Sequence, residues 1–450
     1  MSEEISRRRS ILWATPLACG LAASWAGARA TPQFAVLYNF QGDLNEANDA
    51  AVPEAGVLLG PGGVLYGTTA SGGDVVKANC TGGNGCGTVY ELMPIGGGVW
   101  KDTVIYSFTG LGDGTNPTSD LARDASTGAL YGTAGGGGPN QQGVAFMLTP
   151  PTSGTSWPFA VVYGFGATRS DGEQPSEGLL AGPAGSFYGT TFAGGTAGPH
   201  HTQTGDGTVF QLLPPPGMGD PWSQAVLVAF PTHGGSANGE HPSYGALLGG
   251  PGGSLLVATE GGGPHDRGVI YDLVPPAEQG GAWTEIVAAS FATSKLGSDP
   301  NAGLVVDAAG NYYGTTAYGG SHNNGVVFQL APPAGGSTNW TYNVIHIFRG
   351  GADGANPEAG LIVGSGGILY GTTYGGGATE GCPGGCGAVF QVTRPAPGAS
   401  TWKEKVLHGF ANADGALPYA RLAIDSNGVL YGTTLAGGSA SRGVVFSVQP

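Results

Sequence analysis

The chain has 450 residues, of which 40% are hydrophobic and 10% are charged, so it can bury a sizeable core in spite of its 88 Gly and 32 Pro. Its net charge at pH 7 is −15, and residues 31–450 hold 12 Lys/Arg against 29 Asp/Glu. A surface of that sign repels phosphate groups, which argues against nucleic acid and anionic membranes as partners.

The first 30 residues have the pattern of an export signal. Ser6–Leu12 (SRRRSIL) is a basic segment of the twin-arginine type, an Ala-rich apolar run follows it, and Ala28–Ala30 (ARA) matches a small-residue cleavage site. We predict residues 1–30 as a cleaved signal peptide and residues 31–450 as the mature chain. An uncleaved anchor is the alternative, and Cys19 is a poor match to a lipid-attachment site. The mature chain is expected to be secreted or to lie at the cell surface or in the periplasm.

Four short segments then recur in step. They have the form Pro-x-x-Gly-Leu, Leu-Tyr-Gly-Thr-Thr followed by Gly-Gly, Gly-Val-Val-Phe-Gln-Leu, and a run that starts at Trp and ends at Phe. The second segment recurs roughly every 57–68 residues, at Leu65–Gly73, Leu130–Gly138, Phe187–Gly195, Leu255–Gly263, Tyr312–Gly320, Gly367–Gly377 and Leu430–Gly438. The copy LLVATEGGG at Leu255–Gly263 is worn. Seven copies make this a repeat protein.

Each segment is short, rich in Val, Phe, Tyr, Trp and Thr, and bounded by turn residues, which is the pattern of a β-strand. Four strands in each of seven repeats predict an all-β fold, a single seven-bladed β-propeller of four-stranded blades. The Gly-Leu (A) and Tyr-Gly-Thr-Thr (B) strands should be inner, because blades converge on the axis, and the Trp…Phe (D) strand outermost. A β-solenoid and two unclosed half-domains are the rival architectures.

The first predicted strand, Phe34–Phe40 (FAVLYNF), is of the outermost type. The last predicted strand, Gly443–Val448, is of the third type (C), and no outermost strand follows it. We therefore predict that the N-terminal strand completes the last blade and joins the two ends of the chain.

The recurring LYGTT…GG, GxVFxL and W…VLHxF segments resemble the GloVer tandem repeat of secreted bacterial proteins described as having a choice of anchor. The resemblance covers Phe34 to Pro450. It implies export and a repeat array, and it implies no established activity.

Four cysteines lie in predicted B–C loops, as CTGGNGC in the first blade and CPGGC in the sixth. In an exported protein, we expect two local disulfides, Cys80–Cys86 and Cys382–Cys386. A four-cysteine zinc site is disfavoured, because the seventh blade lies between the first and the sixth.

The D–A loops repeat Asp-Gly, at Asp113, Asp171, Asp353 and Asp414. Calcium would need several oxygens at one point, so turns with Gly at positive φ are the simpler interpretation, and no cofactor is expected beyond a possible calcium ion.

Other candidate residues are those that break the consensus. At the channel mouth, after the repeated Pro, five polar residues and one tyrosine replace small residues, namely Glu54, Asp120, Glu177, Glu358, Tyr419 and Arg421. Carboxylates there, above all Asp120 and Glu177 with Glu54 and Arg421 nearby, could perform acid–base chemistry or hold a cation. The alternative is a polar, water-filled channel in which Arg421 neutralises Glu54.

The B–C loops of the third to sixth blades carry further candidates. Four histidines, His200, His201, His265 and His322, could approach one another, but a metal site is not expected, since exposed loops often carry such residues. Phe192, Tyr318 and Tyr374 occupy nearly the same loop position in three blades. They either stack on a ligand or cover the Gly-rich loop beneath them.

No nucleophile elbow, phosphate loop or metalloprotease helix is found. The leading hypothesis is therefore an exported, monomeric, non-enzymatic propeller that binds a glycan or an extracellular protein on the D–A/B–C loop face. The alternative is a secreted polysaccharide lyase or a lactonase-like hydrolase with carboxylates at the channel mouth. A purely structural envelope or matrix protein is a third possibility.

Overall fold

A computed structural model describes most of the chain after its first 30 residues. The described residues are 31–42, 49–74, 79–80, 85–176, 178–195, 205–217, 219–230, 239–242, 247–278, 280–334, 339–378, 381–396 and 398–450. The predicted signal peptide, with Cys19, lies outside them, as do Glu177, His200 and His201. Among the described residues, no helix is long and apolar enough to cross a membrane.

Seven antiparallel sheets, each with a path of four strands, form a ring, which confirms the seven-bladed β-propeller. The order in each blade is A–B–C–D from the axis outward. The A strands are Leu58–Leu59, Ala122–Arg123, Leu180–Ala181, Leu248–Gly249, Val305–Val306, Ile362–Val363 and Ala423–Ile424. The B strands are Leu65–Thr69, Leu130–Ala134, Phe187–Gly194, Leu255–Gly262, Tyr312–Thr316, Leu369–Thr373 and Leu430–Thr434.

The outer half of each blade is formed by the longer C and D strands. The C strands are Thr88–Gly96, Val144–Leu148, Thr208–Leu213, Val269–Val274, Val326–Ala331, Ala388–Thr393 and Val444–Gln449. The D strands of blades 1 to 6 are Val99–Ser107, Phe159–Gly164, Ser223–Ala229, Thr284–Ser290, Thr341–Ile347 and Lys403–Gly409.

The ring closes through its two chain ends. Gln33–Asn39 is the D strand of blade 7, and it pairs antiparallel with Val444–Gln449 from Gln33↔Gln449 to Asn39↔Val444. The predicted closure by the N-terminal strand is confirmed.

Short elements extend the blades on the D–A/B–C face. Gly172–Pro175 and Gly239–Pro242 pair with the ends of the B strands of blades 3 and 4, and Ala50–Ala51 pairs with Ser71–Gly72. Short 3-10 turns are found in the D–A loops at Ser294–Leu296 and Gly351–Asp353, and in the A–B loops of the opposite face at Pro61–Gly63, Pro183–Gly185, Pro251–Gly253 and Ser365–Gly367.

The tyrosine and the glycine of the repeated Tyr-Gly-Thr-Thr segment have packing roles. The tyrosine contacts the Trp of the next blade, as in Tyr66–Trp157 and Tyr131–Trp222, with ring centroids 5.9 and 6.2 Å apart. The glycine lies under the aromatic ring of the C strand: a Cβ atom on Gly371 would lie 2.7 Å from Phe390 Cζ. Only glycine leaves room for that ring.

The two threonines hold the strand and the loop that follows it. The first can bond to the next blade, because Thr315 Oγ1 donates to the Ala359 carbonyl at 3.0 Å. The second closes its own loop, because Thr316 Oγ1 donates to the Tyr318 carbonyl at 2.8 Å. The motif is therefore a structural part of the ring.

A residue in the left-handed conformation precedes the repeated proline in every blade. These residues are Val52, Asn116, Gln174, His241, Asp299, Asn356 and Leu417, with φ from 53° to 60°. Each donates its N–H to a carbonyl of the preceding blade, as Asn356 does to Asn324 at 2.9 Å. These bonds outweigh the preference of side chains for negative φ, and they direct the Pro-x-x-Gly segment toward the axis.

Candidate functional site

The Pro-x-x-Gly segments converge on the axis and enclose a cavity of about 50 Å³. Its lining comes from six blades: Glu54, Ala55, Thr118, Ser119, Asp120, Ser176, Gly303, Glu358, Ala359, Gly360, Tyr419, Ala420 and Arg421. The structure thus brings together Glu54, Asp120, Glu358, Tyr419 and Arg421, the described residues predicted at the channel mouth. The Pro-x-x-Gly segments themselves line the channel, and the A strands that follow them are only two residues long.

Asp120 and Arg421 occupy a position that is glycine in the other blades, and they flank Gly56 of blade 1. Asp120 accepts the Gly56 N–H at 2.7 Å, and Arg421 Nη2 lies 3.8 Å from Asp120 Oδ2. A Cβ atom on Gly56 would lie 2.6 Å from the Arg421 carbonyl oxygen. The three residues therefore close one side of the channel, and Arg421 forms an ion pair with Asp120 rather than with Glu54.

Among the described residues, Glu54 and Glu358 are two further carboxylates that line the channel. Burial raises the pKa of Glu54. Burial also raises the pKa of Glu358, and this effect is opposed by a hydrogen bond in which Asn301 Nδ2 donates to Glu358 Oε2 at 2.9 Å. Asp299 and Glu260 raise it further by charge repulsion. Negative charge is thus concentrated on blades 4 to 6.

Tyr318 lies at the edge of this negative region. It is 42% exposed, and its phenol pKa is raised by burial and then by the negative charges of Glu358, Asp299 and Glu260. Its backbone bridges Ser298 of the neighbouring D–A loop, donating an N–H to that residue's carbonyl and accepting one from its N–H. The ring is therefore carried by a fixed loop.

Tyr374 and Tyr419 continue the aromatic rim through blades 6 and 7. Their ring centroids are 6.3 Å apart at an interplanar angle of 81°. Tyr374 is half-buried, and its N–H donates to the Asn356 carbonyl at 2.8 Å. We call Glu260, Asp299, Tyr318, Glu358 and Tyr374 the acidic tyrosine rim.

The remaining loop candidates are dispersed. Phe192 is half-buried and stacks on His241 of blade 4, with ring centroids 4.3 Å apart at 11°. His265 and His322 are exposed, and His322 Nδ1 contacts Ser321 Oγ at 2.9 Å. The ring of Phe192 therefore covers a loop, which is the second of the two roles that the sequence left open for the loop aromatics.

Both predicted disulfides are present. Cys80–Cys86 and Cys382–Cys386 join residues with Cα atoms 5.5 and 5.3 Å apart. Disulfides are typical of oxidising compartments.

The aspartates of the D–A loops form turns. Asp113 accepts hydrogen bonds from the N–H groups of Thr109 and Gly110 and from the Tyr106 hydroxyl. Asp171 and Asp414 accept the N–H groups of Ala167 and Ala411. These N–H donors lie three or four residues before the aspartate, so each carboxylate closes its D–A loop, but not with the bond to the backbone two residues on that defines an Asx-type turn.

Sequence reasoning missed part of the acidic tyrosine rim. Glu260 stands in the worn copy LLVATEGGG, directly after the threonine, and Asp299 directly precedes the repeated proline of blade 5. A comparison of the seven B–C loops would have found Glu260 as the only acidic residue directly after this threonine. A second feature, an open hollow of about 570 Å³ between the D strands of blades 1 and 2, is lined in part by Ile105, Trp157 and Phe159 and had no sequence signal.

The chain is similar in structure to several solved proteins. A putative 6-phosphogluconolactonase from Bacteroides uniformis ATCC 8492 has a TM-score of 0.47 and 13% identity, over 79% of this chain and 87% of that one. The sialidase of Trypanosoma rangeli, in complex with the inhibitor DANA, has a TM-score of 0.40 and 9% identity, over 79% and 57%. An ancestral GH74 enzyme has a TM-score of 0.47 and 12% identity, over 89% and 48%. The chain thus spans about half the length of the last two, and these likenesses carry no information on its activity.

A search of curated proteins found no significant match. The sequence profile of the Gloeobacter/Verrucomicrobia repeat matches three overlapping ranges, residues 25–199, 75–284 and 244–450. The resemblance to the GloVer repeat is therefore confirmed across the propeller. This chain belongs to the family of Gloeobacter/Verrucomicrobia repeat proteins.

Proposed function

We propose that this chain is a non-enzymatic glycan-binding propeller, and that the acidic tyrosine rim is its binding surface. The observation that carries the proposal is the exposed ring of Tyr318, 42% accessible, on a fixed loop beside Glu358, Asp299 and Glu260. Tyr374, in the next blade, adds a second ring to this surface.

The rim offers the two kinds of contact that neutral sugars use. An aromatic ring stacks against the apolar C–H face of a sugar, and carboxylates accept hydrogen bonds from its hydroxyl groups. The Tyr318 backbone is fixed by its two hydrogen bonds to Ser298, so little conformational entropy is lost on binding. An extracellular protein is the other candidate partner, and the experiment below distinguishes the two.

Charge narrows the class of glycan. Residues 31–450 carry 29 Asp/Glu against 12 Lys/Arg, and the rim itself holds three carboxylates. Sulfated or uronic acid-rich polysaccharides would be repelled by these groups. The expected ligand is a neutral or an amine-bearing glycan.

A secreted lyase or a lactonase-like hydrolase remains the alternative, because Glu54 and Glu358 line one cavity and burial raises both pKa values. Two observations weigh against it. The cavity of about 50 Å³ is far below the roughly 300–1,000 Å³ of small-molecule sites. Asp120, the first catalytic candidate, is already bonded to the Gly56 N–H and lies near Arg421.

Export through the N-terminal signal is part of the proposal. It is supported by the two disulfides, which need an oxidising compartment to persist. N-terminal sequencing of the mature protein should give Thr31 as its first residue. A first residue at Met1 or Ser2 in exported material would contradict cleavage.

A glycan array tests the binding function directly. The wild-type chain should bind neutral or amine-bearing glycans, and the Tyr318→Ala/Tyr374→Ala variant should lose at least about tenfold of that signal, as expected for two stacking contacts. Ile95→Ala is the control, because Ile95 is 59% exposed at the C–D hairpin on the opposite face. Equal binding by the double variant, or binding of anionic glycans only, would refute the proposal. Capture of a protein with no glycan signal would favour the protein partner.

A further inference from the structure

Neighbouring blades meet at their outer edge through a recurring set of three positions. These are the sixth residue after Trp in one D strand, the Asp of the following D–A loop, and the second residue after Trp in the next D strand. At the junction of blades 6 and 7, the equivalent residues are His408, Asp414 and Phe34. His408 Nε2 hydrogen-bonds Asp414 Oδ2 at 3.0 Å, and the Phe34 ring stacks on the imidazole at 3.6 Å and 6°.

The junction of blades 5 and 6 has a different third residue. Here the set is His346, Asp353 and Glu404, and one ligand atom from each lies within 4.8 Å of the other two. Among the described residues, no other group of three His, Cys, Asp or Glu side chains meets this condition. Glu404 therefore brings a second carboxylate to the position where Phe34 provides an apolar ring in the neighbouring junction.

The polar atoms of this junction are incompletely satisfied. His346 Nε2 lies 3.7 Å from Asp353 Oδ2, beyond hydrogen-bond length. His346 Nε2 and Glu404 Oε1 are both shielded from solvent and have no hydrogen-bond partner within the described part of the chain. Asp353 Oδ2 accepts the Arg349 N–H at 2.7 Å. A buried nitrogen and a buried carboxylate oxygen thus lie beside the carboxylate of Asp353, which also interacts with Glu404 by charge and by a side-chain hydrogen bond.

We propose that His346, Asp353 and Glu404 form a binding site for a divalent transition-metal ion of the zinc type, between blades 5 and 6. Imidazole nitrogen and carboxylate oxygen are zinc ligands at about 2.0–2.2 Å, so two ligands of one tetrahedral ion lie roughly 3.3 Å apart. The 3.7 Å between His346 Nε2 and Asp353 Oδ2 is close to that separation. A water molecule would complete the coordination.

Calcium fits this site less well than zinc does. Calcium takes six to eight oxygen ligands, whereas this site offers one nitrogen and two carboxylates. The carboxyl groups of Asp353 and Glu404 disfavour each other's negative charge in this half-buried place, and a divalent cation would offset that repulsion. Arg349 is a positive charge that acts on His346 and opposes cation binding, and it is exposed.

A bound ion would fasten two neighbouring blades together. His346 and Asp353 belong to the D strand and D–A loop that end blade 5, and Glu404 belongs to the D strand of blade 6. An ion that binds only the folded chain stabilises it by RT ln(1 + [ion]/Kd), so the melting temperature rises with the ion concentration. We therefore expect a bound ion to stabilise the contact between blades 5 and 6 at the outer edge of the ring.

The experiment is a titration of the tag-free, full chain with zinc chloride by calorimetry, with thermal unfolding measured in the same buffer. The wild-type chain should bind one ion and unfold at a higher temperature when zinc is present. Glu404→Phe gives this junction the same residue type as the junction of blades 6 and 7, and it should weaken zinc binding at least tenfold. Glu404→Gln, which keeps the shape of the side chain, should do so as well.

Glu285→Phe is the matched control. Glu285 occupies the same strand position in blade 4, but its neighbour at the histidine position is Val228. Zinc binding by this variant should equal that of the wild-type chain. The proposal is overturned if the wild-type chain neither binds zinc nor gains stability from it, or if both Glu404 variants bind zinc as tightly as the wild-type chain does.

Discussion

The B strand and the B–C loop that follows it are adjacent in every repeat. The strand largely keeps its residues from blade to blade, whereas the loop does not. In the strand, the glycine lies under an aromatic ring in blades 5, 6 and 7 alike, at Gly314, Gly371 and Gly432. In the loop, the residue after the last threonine changes from Ala70 to Glu260 to Tyr374.

This difference separates two kinds of position. The repeated glycines have equivalent aromatic partners in these blades, and positions of this kind hold the ring together. Residues that depart from the consensus lie on the D–A/B–C face, at the axis or at blade junctions. Their side chains make contacts there that differ from those of the equivalent positions in other blades. Changes at the repeated positions should affect stability, whereas changes at the exceptional positions should affect binding or pH dependence.

The largest effect is expected at a repeated glycine. In Gly371→Ala, the new Cβ atom would lie 2.7 Å from Phe390 Cζ and 2.8 Å from Leu361 Cδ2, and both side chains are fully buried. We expect the free energy of unfolding, measured with denaturant, to fall by about 3 kcal/mol. In Gly249→Ala, the Cβ atom meets nothing within 4 Å, so this control should change stability little. Equal stability of the two variants would contradict the strand packing.

The next effect concerns a loop that is fixed by a covalent bond. Replacing Cys382 and Cys386 with alanine opens a loop with a sequence separation of 4 residues. The loop-closure entropy of so short a loop predicts a loss of roughly 2 kcal/mol. The Cys80→Ala/Cys86→Ala variant, with a separation of 6 residues, should lose a similar amount. Chemical denaturation of both variants checks this, and unchanged midpoints would show that the disulfides do not restrain the ring.

A smaller effect distinguishes two equivalent threonines. Thr315 donates to the Ala359 carbonyl of the next blade, so Thr315→Val should cost about 1 kcal/mol of unfolding free energy. Thr372 occupies the same position in blade 6, but its hydroxyl has no hydrogen-bond partner among the described residues. Thr372→Val should therefore be neutral or stabilising. A larger loss for the blade 6 variant would reverse this assignment.

The last effect is a pH dependence at an exceptional position. Burial, and then repulsion from Asp49, raises the pKa of Asp102 to about 7. The folded chain therefore keeps a proton that the unfolded chain releases near pH 4, so this group makes stability fall as pH rises from about 4 to about 7. Asp102→Asn should remove that contribution. Unfolding curves at a series of pH values test it, and an unchanged slope would contradict the raised pKa.

The sequence was enough to predict the ring of blades and the two local disulfides. The period, the four strand types and the small inner residues are local patterns, so they predict the blades, and the unmatched first strand predicts the closure by Gln33–Asn39. The disulfides followed from cysteines only a few residues apart.

The partners across the ring could not be predicted in the same way. The sequence suggests that Arg421 neutralises Glu54, but Arg421 pairs with Asp120, because both residues approach Gly56 from their own blades. The His346–Asp353–Glu404 group forms only where the outermost strands of two blades meet, so the sequence of a single repeat does not reveal it. The left-handed Val52 and Leu417 are not residue types that favour positive φ, and the hydrogen bonds between blades decide their conformation.

The ring is held by repeated positions, and we propose that ligand is bound by exceptional ones. The most direct test measures glycan binding and thermal unfolding on the same preparation of the Tyr318→Ala/Tyr374→Ala variant. We predict that binding is lost while the melting temperature stays within roughly 2 °C of the wild-type value, since neither ring is fully buried. Binding that survives while the melting temperature falls would contradict the claim and assign both tyrosines to the scaffold.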